Sequence, residues 1–210
     1  RLHRGDVGGG GSSMSVMPTM GTSGYVATHL VSNNNVSTNP YSTSNVDPRL
    51  VNPWGIAFNP QGFVWVANNH SSTSTLYDGD GVRQTLVVAI PPGAAGSASP
   101  TGIVFNGSQA FPVTQNGVTA PAVFIFVGED GSISGWSPTV DLTNAILAVD
   151  DGEEGSVYKG AALGESSSGL RLFVTNFSEG KVSVYDDTFA EIEDDNAFVD
   201  PDIPDRFSPF

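Results

Sequence analysis

The feature that most constrains this chain is a short motif that returns three times. A glycine leads three small or apolar residues in Gly55-Ile56-Ala57-Phe58, in Gly102-Ile103-Val104-Phe105 and in Gly160-Ala161-Ala162-Leu163. Three more runs follow each quartet in the same order. They are Phe63–Asn68, Thr75–Gly79 and Thr85–Ile90 in the first unit, and Val123–Val127, Ser132–Trp136 and Ala145–Val149 in the second. In the third they are Leu170–Asn176, Lys181–Asp186 and Phe189–Glu193. The runs favour Val, Ile and aromatic residues, and Gly, Asn, Asp and Ser fill the gaps, which is the pattern of short strands joined by tight turns.

The leading glycines stand 47 and 58 residues apart. A four-strand unit returning at about 40–50 residues has the spacing of a β-propeller blade. The excess in the second unit lies in Asn106–Pro121, because Gly102 to Trp136 spans 34 residues where Gly55 to Tyr77 spans 22. The predicted fold is all-β, a partial β-propeller of about three four-stranded blades at 53–98, 99–156 and 157–206. Each first strand should be small and apolar on both faces, as the crowded strand nearest the axis must be, with glycine allowing close backbone approach. Each third strand ends in a ring (Tyr77, Trp136, Tyr185) that fills the wider gap between blades. Residues 1–24, rich in Gly, Ser and Met, read as a disordered tail before a propeller domain at 25–210. Tyr25–Val31 reads as a first strand, Asn33–Asp47 as a polar loop, and Asp141–Asp150 equally as a short helix or a strand. Pro209-Phe210 stands in register with Pro53-Trp54, so a fourth unit is expected to begin there and the chain to be truncated at its C-terminus. Three blades do not close a ring.

Charge narrows the function classes. The net charge is −14, and all of it sits in residues 121–210, which hold eighteen acids and four bases. Such a surface repels phosphate backbones, so nucleic-acid binding is not expected. It suits a cation, a basic partner or plain solubility. With no cysteine, thiolate metal sites and disulfides are excluded. No apolar run reaches the length of a membrane helix, and no signal peptide is visible.

Several stretches carry a resemblance. Pro53-Trp54-Gly55-Ile56-Ala57-Phe58, Trp65-Val66-Ala67-Asn68-Asn69, Thr73-Ser74-Thr75-Leu76-Tyr77, Pro100–Asn106, Gly128–Trp136 and Val157-Tyr158-Lys159-Gly160 resemble an uncharacterised family of NHL/YVTN-like propellers. Many bacterial members of that family carry a PEP-CTERM sorting tail. The resemblance covers about Val26 to Phe210 and implies a secreted or extracellular protein with a ring of about six blades. It supplies no catalytic residues.

In a meandering blade, the entries to the innermost strands share a face of the disc with the turns between second and third strands. That face gathers Asn68, Asn69, His70, Glu129, Asp130, Lys159 and Asn176 as ligand-binding candidates at the channel mouth. The competing reading is that they are turn formers and solvated polar groups, with Lys159 paired to an acid. No catalytic residue is assigned. The metal question stays open, because zinc needs more than the single repeat histidine. No cofactor is predicted; calcium is the alternative that Asp and Asn oxygens allow. The reading that follows is a secreted or cell-surface, non-enzymatic binding or scaffold module with a protein or glycan partner. The isolated fragment is expected to self-associate through its open blade faces. The alternative is a metal-assisted, lactonase- or lyase-like propeller enzyme with a cation in the channel.

Overall fold

Turn formers interrupt the apolar runs every few residues, and the backbone follows that rhythm. The computed structural model describes residues 27–34, 43–192, 198, 202, 204 and 207–210; the stretch read as a disordered tail lies outside them. Three four-stranded antiparallel meanders follow one another. The first is β3 (Pro53–Phe58), β4 (Val64–Asn68), β5 (Thr73–Tyr77) and β6 (Arg83–Ala89), after a small pair β1 (Val31–Ser32) and β2 (Asn45–Val46). The second is β7 (Pro100–Phe105), β10 (Phe124–Gly128), β11 (Ser132–Trp136) and β12 (Ile146–Asp150), with a hairpin of β8 (Pro112–Gln115) and β9 (Val118–Pro121) inserted after β7. The third is β13 (Tyr158–Ser166), β14 (Gly169–Asn176), β15 (Lys181–Tyr185) and β16 (Glu191–Ile192). The only helix among the described residues is a 3-10 turn at Asn69–Ser71. The chain is a run of three β-propeller blades.

The first strands sit together. A Cβ placed on Gly55 would stand 2.6 Å from the Thr101 carbonyl oxygen of the next blade. On Gly102 it would stand 2.8 Å from Val127 Cγ2 and 3.0 Å from the Ala161 nitrogen of the blade after that. The glycines are therefore the contact points of β3 on β7 and of β7 on β13. Gly102→Ala should destabilise the chain by about 1–3 kcal/mol, since the added methyl meets backbone that cannot yield. A urea midpoint matching that of the wild type would refute this close approach.

Side chains between the blades form two cores. Ala57, Trp65, Ala67 and Leu76 of the first blade meet Ile103, Phe124, Phe126 and Trp136 of the second. Ile125, Val127 and Ile133 on the other face of the second blade meet Tyr158, Leu172, Val174 and Tyr185 of the third. Alternate residues of β10 thus serve opposite neighbours, which is why that strand is buried throughout. The insertion fills space beside the second core. Phe111 and Val113 are buried there, and the Phe111 ring lies 5.1 Å from that of Phe189. Its Asn116-Gly117 tip has φ of 53° and 79°, the two-residue turn that matches strand twist.

Four expectations need correction. Ala27–Leu30 is not strand; only Val31–Ser32 is, while Tyr25 and Val26 lie outside the described residues. The segment read as a polar loop ends in β2, which runs parallel to β1. Asn45 fixes it there by donating to the Leu30 and Asp80 carbonyls at 3.0 and 2.7 Å. Strand in Asp141–Asp150 is confined to Ile146–Asp150, because Asp141 accepts from the Thr143 and Asn144 amides and holds a turn. The first strand of the first blade is not small on both faces. Gly55 and Ala57 face the second blade, whereas Ile56 and Phe58 on the other side are 58% and 61% exposed.

Candidate functional site

The channel mouth is built by one position repeated in each blade. β4 ends at Asn68, β10 at Gly128 and β14 at Asn176, paired with Pro53, Pro100 and Tyr158 at the entries of the innermost strands. The residue after each strand end, Asn69, Glu129 or Phe177, reaches sideways toward the next entry. Asn69 donates to the Ser99 carbonyl at 3.0 Å and to Glu129 Oε2 at 3.0 Å, and its own Oδ1 accepts from Asn52 at 3.1 Å. Lys159 of the third blade donates to Glu129 Oε1 and forms an ion pair with it. A polar strut therefore crosses all three blades through Asn52, Asn69, Glu129 and Lys159.

Phe177 continues the series with an apolar contact. Its ring lies 6.2 Å from Phe210, edge to face, and Phe210 stacks on Trp54 at 5.6 Å with 28° between planes. The Lys159 ammonium lies 5.0 Å from the Trp54 centroid, 5.7 Å from Phe177 and 5.5 Å from Phe210. One cation thus faces three rings and one carboxylate. Partial burial works to raise the Glu129 pKa. The hydrogen bonds from Lys159 and Asn69, with the nearby positive charges of Lys159 and His70, outweigh burial and hold it below the usual value.

The remaining candidates have other work. Asn68 is fully buried and donates to Thr75 Oγ1 at 2.9 Å, within its own blade. Asp130 Oδ1 accepts from the Ser132 amide and hydroxyl at 3.1 and 2.6 Å, and Oδ2 from the Gly93 amide at 2.7 Å. Asn176 bonds Ser156, Ser178 and Glu179 and accepts from the Val157 amide. His70 is exposed in the short turn beside the strut. Asn69, Glu129 and Lys159 thus come together, and Asn68, Asp130 and Asn176 each tie down local backbone or a strand neighbour.

Sequence reasoning misses the three rings as a group. The signal was Phe210 following a proline, as Trp54 does, with Phe177 at the repeat position of Asn69 and Glu129. It also misses two buried acid–tyrosine clusters. Tyr77 donates to Asp47 Oδ2 at 2.8 Å, and Arg83 Nε lies 3.6 Å from that oxygen. Tyr158 and Tyr185 donate to Asp151 Oδ2 at 2.5 and 2.8 Å, and their hydroxyls lie 2.7 Å apart. Tyr77 and Tyr185 hold the same place at the end of a third strand. In the second blade that place belongs to Trp136, whose indole donates to the Leu142 carbonyl at 3.1 Å. A hollow of about 330 Å³ lies beside Asp47, lined by Val31, Asn45, Val82 and Arg83 among others.

No known family model matches the chain. It is 31% identical over 157 residues to uncharacterized protein R648 of Acanthamoeba polyphaga mimivirus, covering 73% of this chain and 38% of that protein. It is 26% identical over 175 residues to uncharacterized protein L690 of the same virus, covering 82% and 44%. The chain spans less than half the length of these curated relatives. Among solved structures it is similar to a selenomethionine-substituted virginiamycin B lyase from Staphylococcus aureus. That similarity has a TM-score of 0.47 and 13% identity, over 73% of this chain and 44% of the other. Among the described residues, no helix is long and apolar enough to cross a membrane.

Proposed function

We propose that the chain is a non-enzymatic binding or scaffold module of a secreted or cell-surface propeller, with recognition at the channel mouth. One observation carries this reading. Asn69, Glu129 and Lys159 are spent on one another across the blades, and beside them a cluster of rings and the exposed His70 face solvent. A general acid or base needs an atom within reach of the substrate proton. Both Glu129 oxygens and both polar atoms of the Asn69 amide are already engaged. Secretion rests on the resemblance to NHL/YVTN-like propellers with PEP-CTERM tails.

The enzyme alternative requires a cation held by several ligands. Among the described residues, no three His, Asp or Glu side chains gather in a way that would hold one. Calorimetric titration with calcium and with zinc tests the choice. Neither ion should bind tightly, and Glu129→Gln should leave the traces unchanged. A tight site that this substitution abolishes would replace the binding reading with the enzymatic one.

The strut also predicts a pH effect. A depressed carboxyl pKa stabilises the fold fully above its ordinary value, and that contribution is lost as pH falls through the lowered one. At neutral pH Glu129→Gln should melt about 2–4 °C below the wild type. The gap should close in acid, below the ordinary glutamate value. A gap that is absent at neutral pH, or that persists unchanged in acid, would show that the ion pair contributes nothing.

A further inference from the structure

We propose that the strut is a self-modification site, in which Lys159 and Asn69 join through an isopeptide bond and Glu129 moves the protons. The first argument is juxtaposition. One carboxylate holds both partners: Glu129 Oε1 accepts from the Lys159 ammonium, and Oε2 accepts from the Asn69 amide nitrogen at 3.0 Å. The two oxygens of a carboxylate lie side by side. An amine of the third blade and an amide of the first are therefore held as neighbours, which is the larger part of what a bond-forming step requires.

The second argument is burial. Asn69 is 3% exposed and the Lys159 side chain 10%. The Trp54 and Phe177 rings lie 5.0 and 5.7 Å from the ammonium. Walls of this kind keep out the water that would compete for the amide carbon.

The third argument is the setting of the amide. Asn52 Nδ2 donates to Asn69 Oδ1 at 3.1 Å, where negative charge develops as the amide carbon becomes tetrahedral. The nitrogen that must leave is also held, donating to the Ser99 carbonyl at 3.0 Å. Nucleophile, proton carrier, oxyanion donor and leaving group thus all have a named occupant.

The step balances without a further reactant. Within the ion pair, Lys159 passes a proton to Glu129, leaving a neutral amine beside a carboxylic acid. Lys159 Nζ attacks Asn69 Cγ and the carbonyl electrons move onto Oδ1. As they return, the Cγ–Nδ2 bond breaks. Glu129 relays the two protons that Nζ loses to Nδ2, which departs as ammonium, and Glu129 ends as the carboxylate it was. The ion pair holds the Glu129 carboxyl low, so the neutral pair is a minor form and the reaction is slow. It has to occur only once per molecule. The product ties the first blade to the third in a chain with no cysteine to do so. The melting gap expected of Glu129→Gln belongs to the chain before this reaction.

The test is intact-mass spectrometry of the full chain, refolded from urea, incubated and then denatured, followed by trypsin mapping. A species lighter by one ammonia should accumulate. In it, trypsin should no longer cut after Lys159, and the Asn69 peptide should stay joined to the Lys159 peptide. Lys159→Arg keeps the charge but removes the nucleophile, and should keep its full mass. Glu129→Gln should react at least about a hundredfold more slowly. Melting curves check that both variants fold, and the wild type carries the deciding reading by itself. Full mass in the incubated wild type, with cleavage after Lys159 intact, overturns the inference. So does loss of ammonia with Lys159 still cleaved, which would mark ring closure of an asparagine on its following glycine, as at Asn116-Gly117. Reaction of Glu129→Gln at the wild-type rate overturns the role given to Glu129.

Discussion

Above about pH 10 the chain should lose stability by about 4 kcal/mol for each further pH unit. The expectation comes from three phenols. Tyr77, Tyr158 and Tyr185 are 4%, 1% and 1% exposed, and each is held well above its ordinary pKa. Burial is the largest cause in all three. The carboxylates of Asp47 and Asp151 add to it, because ionisation would set a phenolate against a charge of the same sign. The unfolded chain releases these protons near the ordinary tyrosine value and the folded chain keeps them. Stability is therefore complete below about pH 10 and falls above it, by about 1.4 kcal/mol per unit for each phenol. The Tyr158 and Tyr185 hydroxyls lie 2.7 Å apart against one carboxylate and titrate as a pair. Phenolate absorbance followed alongside circular dichroism is the check. The three protons should leave only within the unfolding transition. Ionisation of all five tyrosines near pH 10 with native dichroism intact would refute the clusters.

The blades were legible because their signal is redundant. Each quartet, apolar run and terminal ring recurs in register, and a propeller has to repeat what each blade needs to cover its neighbour. Gly55 and Gly102 announced close approach by residue type alone, and backbone of the next blade lies where their side chains would be. Apart from the exposed Ile56 and Phe58 of the first quartet, what failed was local and non-repeating. β1 and β2 are two residues each, and they pair through an Asn45 side chain that bonds backbone 15 and 35 residues away. No periodicity marks such a contact. The insertion was placed by spacing alone; its hairpin and its role went unread, because packing against Phe189 is set by the third blade.

The mouth was legible as a place but not as a chemistry. Topology alone put Asn69, Glu129 and Lys159 on one face. It could not say that they bond to one another, since that depends on residues 60 and 30 positions apart meeting across blade boundaries. Polar residue types drew attention to Asn68, Asp130 and Asn176, which are at most 6% exposed. The exposed groups are rings, and sequence reasoning assigns rings to cores by default. Repeat alignment separates the two cases. Trp65 falls where Ile125 and Phe173 fall, in the face that covers a following blade. Phe177 falls where Asn69 and Glu129 fall, beyond the strand end at the mouth.

That same alignment sets up the largest effect expected of a single substitution. Trp65→Ala should cost about 3–5 kcal/mol, much of the stability of a domain this size. Trp65 is the central ring of the first interface, stacked on Phe124 at 4.2 Å with 24° between planes and 4.7 Å from Trp136. Its removal empties a volume that neither partner can fill without leaving its own rotamer, and the lost ring contacts add to the lost burial. Phe173 occupies the equivalent place in the third blade, but no blade among the described residues packs on that face. Its ring is only half-buried, edge to face with Phe198 at 5.6 Å. Phe173→Ala should therefore cost less than half as much. Urea unfolding compares the two. Hydrogen exchange should show where the loss falls, because contacts in such an array are between neighbours and the first blade has a full blade-to-blade core on one side only. Amides of β4 and β5 should lose protection in Trp65→Ala before those of β14 and β15. Equal costs for the two substitutions, or uniform loss of protection across all three blades, would mean that the interface between the first and second blades is not what holds the first blade in place.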